Sequence, residues 1–284
     1  MRVASFNDGR VGLVAAGQVR ELPQFSPAGS GQSSAMRRLI HRWSEGEWDQ
    51  DPHVLDPIPL GDVTLMAPVP DPTKIFAAPV NYRDHQLEMD EAVQVSGLGL
   101  FLKAPSSVIG HAGRVLLPYV DRRFDQEGEV AVVIGRRARH VSKADALDHV
   151  FGVTALLDMT MRGAEDRSTR KSFETFTPMG PWIATLDELP GAERLGFSCR
   201  VNETVRQQSS TDRLIWGIAD LVSYASSITT LEPGDVVSSG TPAGVGPVED
   251  GDVIEVTIDG LGGALRVTVS AEGAVPCPTK VEQG

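Results

Sequence analysis

At 284 residues, with 41% hydrophobic and 23% charged residues, the chain has the make-up of a globular protein with one large domain or two unequal ones. A net charge of −12 disfavours nucleic acid and anionic membrane as partners, and an anionic ligand would need positive charge placed locally. Two distant cysteines, Cys199 and Cys277, do not make a disulfide framework or a zinc site, and neither a signal-peptide core nor an apolar run of roughly 18 residues is present, so a cytoplasmic protein is expected.

Twenty-nine glycines and 19 prolines point to many turns and much β-structure. Residues 1–22 read as a small β-meander, with Asn7-Asp8-Gly9 as a hairpin signal and Gly17 marking a second turn. A helix is expected over 35–48, where Met36, Leu39, Ile40 and Trp43 recur at helical spacing. Residues 51–72 carry six prolines and read as a linker with short extended pieces. It closes a small N-terminal domain, 1–72, and leaves 73–284 as the larger one.

Short strands follow at 74–78, 115–117, 130–134 and 152–158, and the polar stretch 81–89 suits a helix. Ser142-Lys143-Ala144-Asp145 resembles a capping box opening a short helix to about Val150. Thr211 is expected to cap a helix with the apolar stripe Leu214, Ile215, Ile218, Leu221, Val222 and Ala225, whose role is packing on a sheet. Glu232-Pro233-Gly234-Asp235 is a turn before a strand at 236–239, and 253–258 with 264–269 reads as a closing hairpin.

The chemistry sits in a few short segments. Glu127 and Glu129 flank Gly128 at the mouth of the apolar strand Val130–Ile134, so both carboxylates point the same way. Two such groups repel unless a cation lies between them, and hard oxygen ligands suit Mg²⁺, Ca²⁺ or Mn²⁺. Taken alone, the pair reads first as two solvated glutamates at a strand end, since acidic strand ends are common. His85 and Glu88, three apart on a helix-compatible stretch, can hydrogen-bond, so that a carboxylate orients an imidazole that takes a proton from water. A surface ion pair has the same spacing. The other histidines, 41, 53, 111, 140 and 149, lack a comparable partner and read as structural. Gly240–Gly246 is a glycine-rich loop without the ending of a phosphate-binding P-loop. It presents backbone N–H groups and the Thr241 hydroxyl to an anion, or is a plain tight turn. Lys171, flanked by aromatics, sits in a semi-apolar pocket or merely snorkels.

Together these segments resemble the fumarylacetoacetate hydrolase family, in order, from about Lys74 to Val269. Asn81-Tyr82 through His85 and Glu88 match its lid. Phe101-Leu102-Lys103-Ala104-Pro105 and Leu117-Pro118 match the segment after it. Glu127-Gly128-Glu129 and Asp158-Met159-Thr160-Met161-Arg162 match its metal site. Lys171-Ser172-Phe173, Pro178-Met179-Gly180-Pro181-Trp182, Pro233-Gly234-Asp235 and Gly240–Gly246 complete the pattern.

The resemblance implies an α+β, mainly β fold: a mixed β-roll catalytic domain beside the small N-terminal β-rich one. It also implies a homodimer with one divalent cation per subunit, Mg²⁺ foremost and Mn²⁺ or Ca²⁺ as alternatives. By position Glu127, Glu129 and Asp158 are the expected metal ligands. His85, Glu88 and Lys171 are the expected catalytic residues, and Tyr82, Arg83, Lys103 and Thr241 the expected substrate contacts. Three positions depart from the family pattern: Pro79 before the lid and Gly163 after Arg162, where glycine and an acidic residue are usual, and Asn202-Glu203-Thr204, which lacks a glycine.

The implied activity is metal-dependent hydrolysis of a C–C bond in a β-diketo acid such as an acylpyruvate. The substrate is a small anionic 2-oxo acid, and a water activated by His85 and Glu88 attacks as an enolate leaves. A decarboxylase or isomerase on the same scaffold is the alternative. A non-catalytic ligand-binding relative is the third reading, which the full set of carboxylates and the intact His–Glu pair disfavour.

Overall fold

The computed structural model describes residues 1–25, 33–48 and 52–279, so the first residue of the expected linker and the last five of the expected larger domain lie outside it. Arg2–Phe6 (β1), Arg10–Ala15 (β2) and Gln18–Glu21 (β3) form the expected meander. Asn7 and Gly9 take the positive φ values, 49° and 87°, that this tight turn requires. Ala35–Ser44 (α1) starts at Ser34, whose hydroxyl accepts from the Arg37 N–H, and it buries Met36, Leu39 and Ile40. The proline-rich segment lies against the meander: Ile58–Pro59 (β4) pairs with β3, and Leu65 bridges Phe6.

The remaining strands are Ile75–Ala77 (β5), Phe101–Lys103 (β6), Val108–Ile109 (β7), Arg114–Leu116 (β8), Phe124–Gln126 (β9), Gly128–Ile134 (β10), Val150–Leu157 (β11), Thr160–Met161 (β12), Thr177–Thr185 (β13), Gly196–Val201 (β14), Thr204–Ser210 (β15), Val236–Ser238 (β16), Gly246–Pro247 (β17), Val253–Ile258 (β18) and Ala264–Ser270 (β19). Short helices are Arg83–Glu88 (α2), Val95–Leu98 (α3) and Arg167–Arg170 (α4), and Ile218–Ile228 (α5) is longer.

Three sheets result among the described residues. The largest runs β4-β3-β2-β1-β13-β11-β10-β16-β5-β6, with β7 beside β13; β15-β14-β18-β19-β8 forms the second, and β12-β9-β17 the third. β1 pairs with β13, so the N-terminal meander continues the largest sheet. Side chains alternate along its central strands and feed two cores. Val130, Val132 and Ile134 of β10 join Phe197, Cys199, Val256 and Leu265 of the second sheet. Ala131 and Val133 join Leu156, Met179, Ile183 and the apolar stripe of α1. The architecture is α+β and mainly β.

Two local expectations are corrected. The Ser142 hydroxyl does bond Asp145, at 2.6 Å, but the segment makes only a turn and one short 3₁₀ stretch, Ala146–His149. Thr211 does not cap α5. Its hydroxyl donates to the Ala192 carbonyl and accepts from the Leu195 N–H, both at 2.8 Å, within a 3₁₀ turn. The helix starts seven residues later, where the Gly217 N–H donates to Asp220. Leu214 and Ile215 instead pair with Tyr82 and Asn81. An apolar stripe at helical spacing thus divides between a helix and an extended strut.

Candidate active site

Antiparallel register brings the three acidic residues together. Glu129 of β10 lies opposite Leu156 of β11, and Gly128 opposite Leu157. One step further, the Asp158 N–H donates to the Glu127 carbonyl at 2.8 Å. Glu127, Glu129 and Asp158 therefore share one face as direct and diagonal cross-strand neighbours. All three are buried, and each offers an oxygen within 4.8 Å of the others. A set of three carboxylates and no nitrogen or sulfur fits a hard divalent cation.

Two lysines hold this acidic cluster. Lys171, directly after α4, donates from Nζ to Glu127 at 2.6 Å, Asp158 at 2.5 Å and Thr160 at 2.8 Å. Those contacts use its three protons. Lys103 ends β6 and is fully buried, donating to Asp158 at 2.5 Å and to the carbonyls of Lys171 and Phe176 at 2.5 and 3.1 Å. Arg162 spans Asp125 at 2.5 Å and Glu127 at 3.2 Å. Glu129 is held from the other side by the Ser238 hydroxyl and by the Gly240 N–H at 3.1 Å.

These contacts set the acidities apart. Burial and the neighbouring Asp158 push Glu129 up to about 8, against which Lys171 and Ser238 act. Burial also opposes ionisation of Glu127, but Lys171 and Arg162 outweigh it and hold that carboxyl at about 2. Burial lowers the Lys103 ammonium and is only partly offset by Asp158, whereas Lys171 stays raised because Asp158, Glu127 and Glu129 overcome its burial. Two ammonium groups do not neutralise three carboxylates. Of the three carboxyls, Glu129 is the one whose surroundings favour the protonated form.

His85 and Glu88, expected to pair, lie together on α2. His85 Nδ1 lies 3.1 Å from Glu88 Oε2, and the other Glu88 oxygen accepts the Gly244 N–H at 2.8 Å. α2 thus touches the glycine-rich loop. At its root Asn81 is fully buried, donating to the Trp216 and Ser239 carbonyls at 2.9 and 2.8 Å and accepting the Trp216 N–H at 2.8 Å. Val80, just before it, has φ 46°, a strained setting for a β-branched residue that costs about 1–3 kcal/mol. Gly240 is required here: a Cβ on it would lie 2.8 Å from the Ala78 carbonyl oxygen.

One cavity of about 280 Å³ unites these parts. His85, Glu127, Glu129, Asp158, Lys171 and Thr241 line it, with Pro79, Phe101, Arg162, Gly163, Arg167 and Arg170. Three expected substrate contacts sit elsewhere. Tyr82 is buried against Phe197, with burial and Glu129 raising its phenol pKa. Arg83 is exposed on the outer side of α2. Lys103 lies behind Asp158, outside the cavity lining. Thr241 reaches the cavity, while its hydroxyl donates to the Gly128 carbonyl at 2.9 Å and accepts from Gln207 at 2.6 Å. The sequence reading did not single out Ser238, Gln207, Arg167 or Arg170. No local spacing marks them, because each meets its neighbours only through the fold.

The chain is similar to known proteins over most of its length. The model of the fumarylacetoacetate (FAA) hydrolase C-terminal family matches residues 74–270. A maleylpyruvate hydrolase from Aquipseudomonas alcaligenes is 40% identical over 282 residues, covering 92% of this chain and 97% of its own. An oxaloacetate tautomerase from Bacillus subtilis is 39% identical over 218 residues, covering 72% of each chain. The crystal structure of a maleylpyruvate hydrolase from Sphingobium sp. SYK-6, in complex with manganese (II) ion and pyruvate, superposes with a TM-score of 0.82 at 36% identity, covering 98% of this chain and all of that one. The match over most of the chain, with the three carboxylates, Lys171 and His85 lining one cavity, means that this protein is an enzyme of the fumarylacetoacetate hydrolase family.

Proposed function

We propose that the protein hydrolyses the C–C bond of an acylpyruvate, the class to which the substrate named for the A. alcaligenes relative belongs. The supporting observation is the placement of the His85–Glu88 pair over the cavity that Glu127, Glu129, Asp158 and Lys171 line. A divalent cation, Mg²⁺ or Mn²⁺, held one per subunit by those three carboxylates, supplies Lewis-acid charge for the 2-oxo-carboxylate end of the substrate. Glu88 accepts a hydrogen bond from the Nδ1–H of His85, which leaves Nε2 to accept a proton from water. The hydroxide equivalent adds to the distal carbonyl carbon. The bond from that carbon to the pyruvyl methylene then breaks, and pyruvate departs as its enolate, for which the proton on His85 is the nearest source. The Lys171 ammonium lends its charge to the oxygen that becomes negative. Phe101 lines the cavity, and closure of α2 over a bound substrate would keep bulk water out.

His85→Ala should lower acylpyruvate hydrolysis by roughly 10²–10⁴-fold, the usual worth of a general base, while pyruvate binding stays close to wild type. Wild-type turnover in that variant would remove the dyad from the mechanism. Isomerisation of a 2-oxo acid is the second reading, supported by the likeness to the B. subtilis tautomerase. It needs proton transfer and no attack on carbon. Side-by-side assays of acetylpyruvate cleavage and oxaloacetate enol–keto exchange separate the two. A homodimer belongs to the same proposal, and sedimentation equilibrium measures it.

A further inference from the structure

We infer that Arg170 forms an anion subsite on the wall of the cavity and that it takes a second carboxylate at the acyl end of the substrate. The inference rests on the acylpyruvate reading for the orientation of the substrate.

The cationic side chains lining the cavity differ in what they bind. Lys171 spends its protons on three protein oxygens, and Arg162 is forked across Asp125 and Glu127. Arg167 has Glu91 at 3.8 Å. The Arg170 guanidinium, in contrast, has no hydrogen bond or ion pair among the described residues, and its Nε is buried without a partner. The acidities follow this division. For Arg162 burial lowers the pKa, but Glu127 and Asp125 outweigh it and the net shift is upward; for Arg170 burial prevails and the net shift is downward. Nε itself is covered, but the side chain as a whole is only half-buried, and its Nη groups, bound to no protein oxygen among the described residues, are the ones that can meet an incoming anion.

Chemistry selects the anion. The inner 2-oxo-carboxylate end belongs with Glu127, Glu129 and Asp158, which lie in the same small cavity as Arg170. A planar guanidinium matches a carboxylate through two parallel N–H···O bonds, and a lysine does not. The fitting ligand is therefore a 2-oxo acid with a carboxylate at each end. A chain this acidic overall would otherwise repel such a dianion, with a net charge of −12.

The test compares two ligands of equal length, 2-oxoadipate and 2-oxohexanoate, which differ in the terminal carboxylate. Titration calorimetry on Mn²⁺-loaded protein should show 2-oxoadipate binding about 10–100-fold more tightly, the worth of one charged hydrogen-bonded contact. Arg170→Gln should bring the two affinities within about threefold, and Arg170→Lys should restore part of the gap. An unchanged melting temperature of both variants verifies the fold. Equal binding of the two ligands by the wild type, or a preference that survives Arg170→Gln, overturns the subsite. Cleavage does not enter this comparison. A protein that prefers 2-oxoadipate through Arg170 but cleaves no acylpyruvate keeps the subsite and loses the hydrolase reading.

Discussion

Glu129 shows at the scale of one residue how the site depends on its cation. Its carboxyl is raised from 4.5 to about 8 by burial beside Asp158. A raised acid stabilises the native state only while protonated. That contribution is complete below the unfolded value and disappears as pH rises through about 8. A cation needs the ionised form, so its affinity should climb between about pH 6 and 8, and binding at pH 7 should release close to one proton. Calorimetric titration of Mn²⁺ in two buffers of different ionisation enthalpy measures this directly; equal heats in both buffers would contradict it. Glu127, held at about 2, acts in the opposite sense. It favours the fold above its unfolded value and ceases to as pH falls towards 2. Glu127→Ala should abolish tight cation binding and, with it, turnover. The same-face placement of Glu127 and Glu129 was legible from alternation along a strand. The contacts that tell the two apart were not. Ser238 and Gly240 approach Glu129, and Lys171 approaches Glu127, across 40 to over 100 residues of chain.

The lid and its support belong to the scale of elements. Polar, helix-compatible sequence after Val80 was enough to expect α2, and His85 and Glu88 share its face as the spacing required. What the sequence hid is the strut that carries it. Leu214 and Ile215 have helical spacing with Ile218 and Leu221, yet they run extended, because the Asn81 backbone and side chain bind Ile215 and Trp216. Tertiary hydrogen bonds outweigh local propensity there. Asn81→Ala removes three buried hydrogen bonds, and each orphaned partner costs about 1–3 kcal/mol. Amide exchange in residues 83–98 should rise sharply in that variant, and turnover should fall even though no proposed catalytic group has changed. In the wild type, a bound 2-oxo acid should slow exchange in the same segment. Protection equal with and without ligand would mean that the lid does not close on substrate.

For the molecule as a whole, the question is how residues 1–72 relate to the rest. The change of pattern after the prolines was plain in the sequence and suggested a boundary. Pairing between strands over 170 residues apart was not, since nothing local marks β1 as the neighbour of β13. The meander extends the largest sheet through that pair, and Val3, Val11, Leu22, Phe25, Met36, Leu39 and Ile40 share a core with Ala131, Val133, Leu156, Met179 and Ile183. Burial of each such side chain contributes about 1.5–3 kcal/mol, against a total stability of about 5–15 kcal/mol for a typical domain. A core shared on that scale couples the two segments. The full chain should therefore melt in a single calorimetric transition. A fragment of residues 73–284 keeps every proposed ligand and both members of the dyad, but it bares the edge of β13 and one face of β10 and β11. It should melt well below the full chain and associate through the open edge. Should the fragment stay monomeric, melt at the full-chain temperature and bind Mn²⁺ normally, the N-terminal segment would be an independent domain and the shared core would carry no coupling.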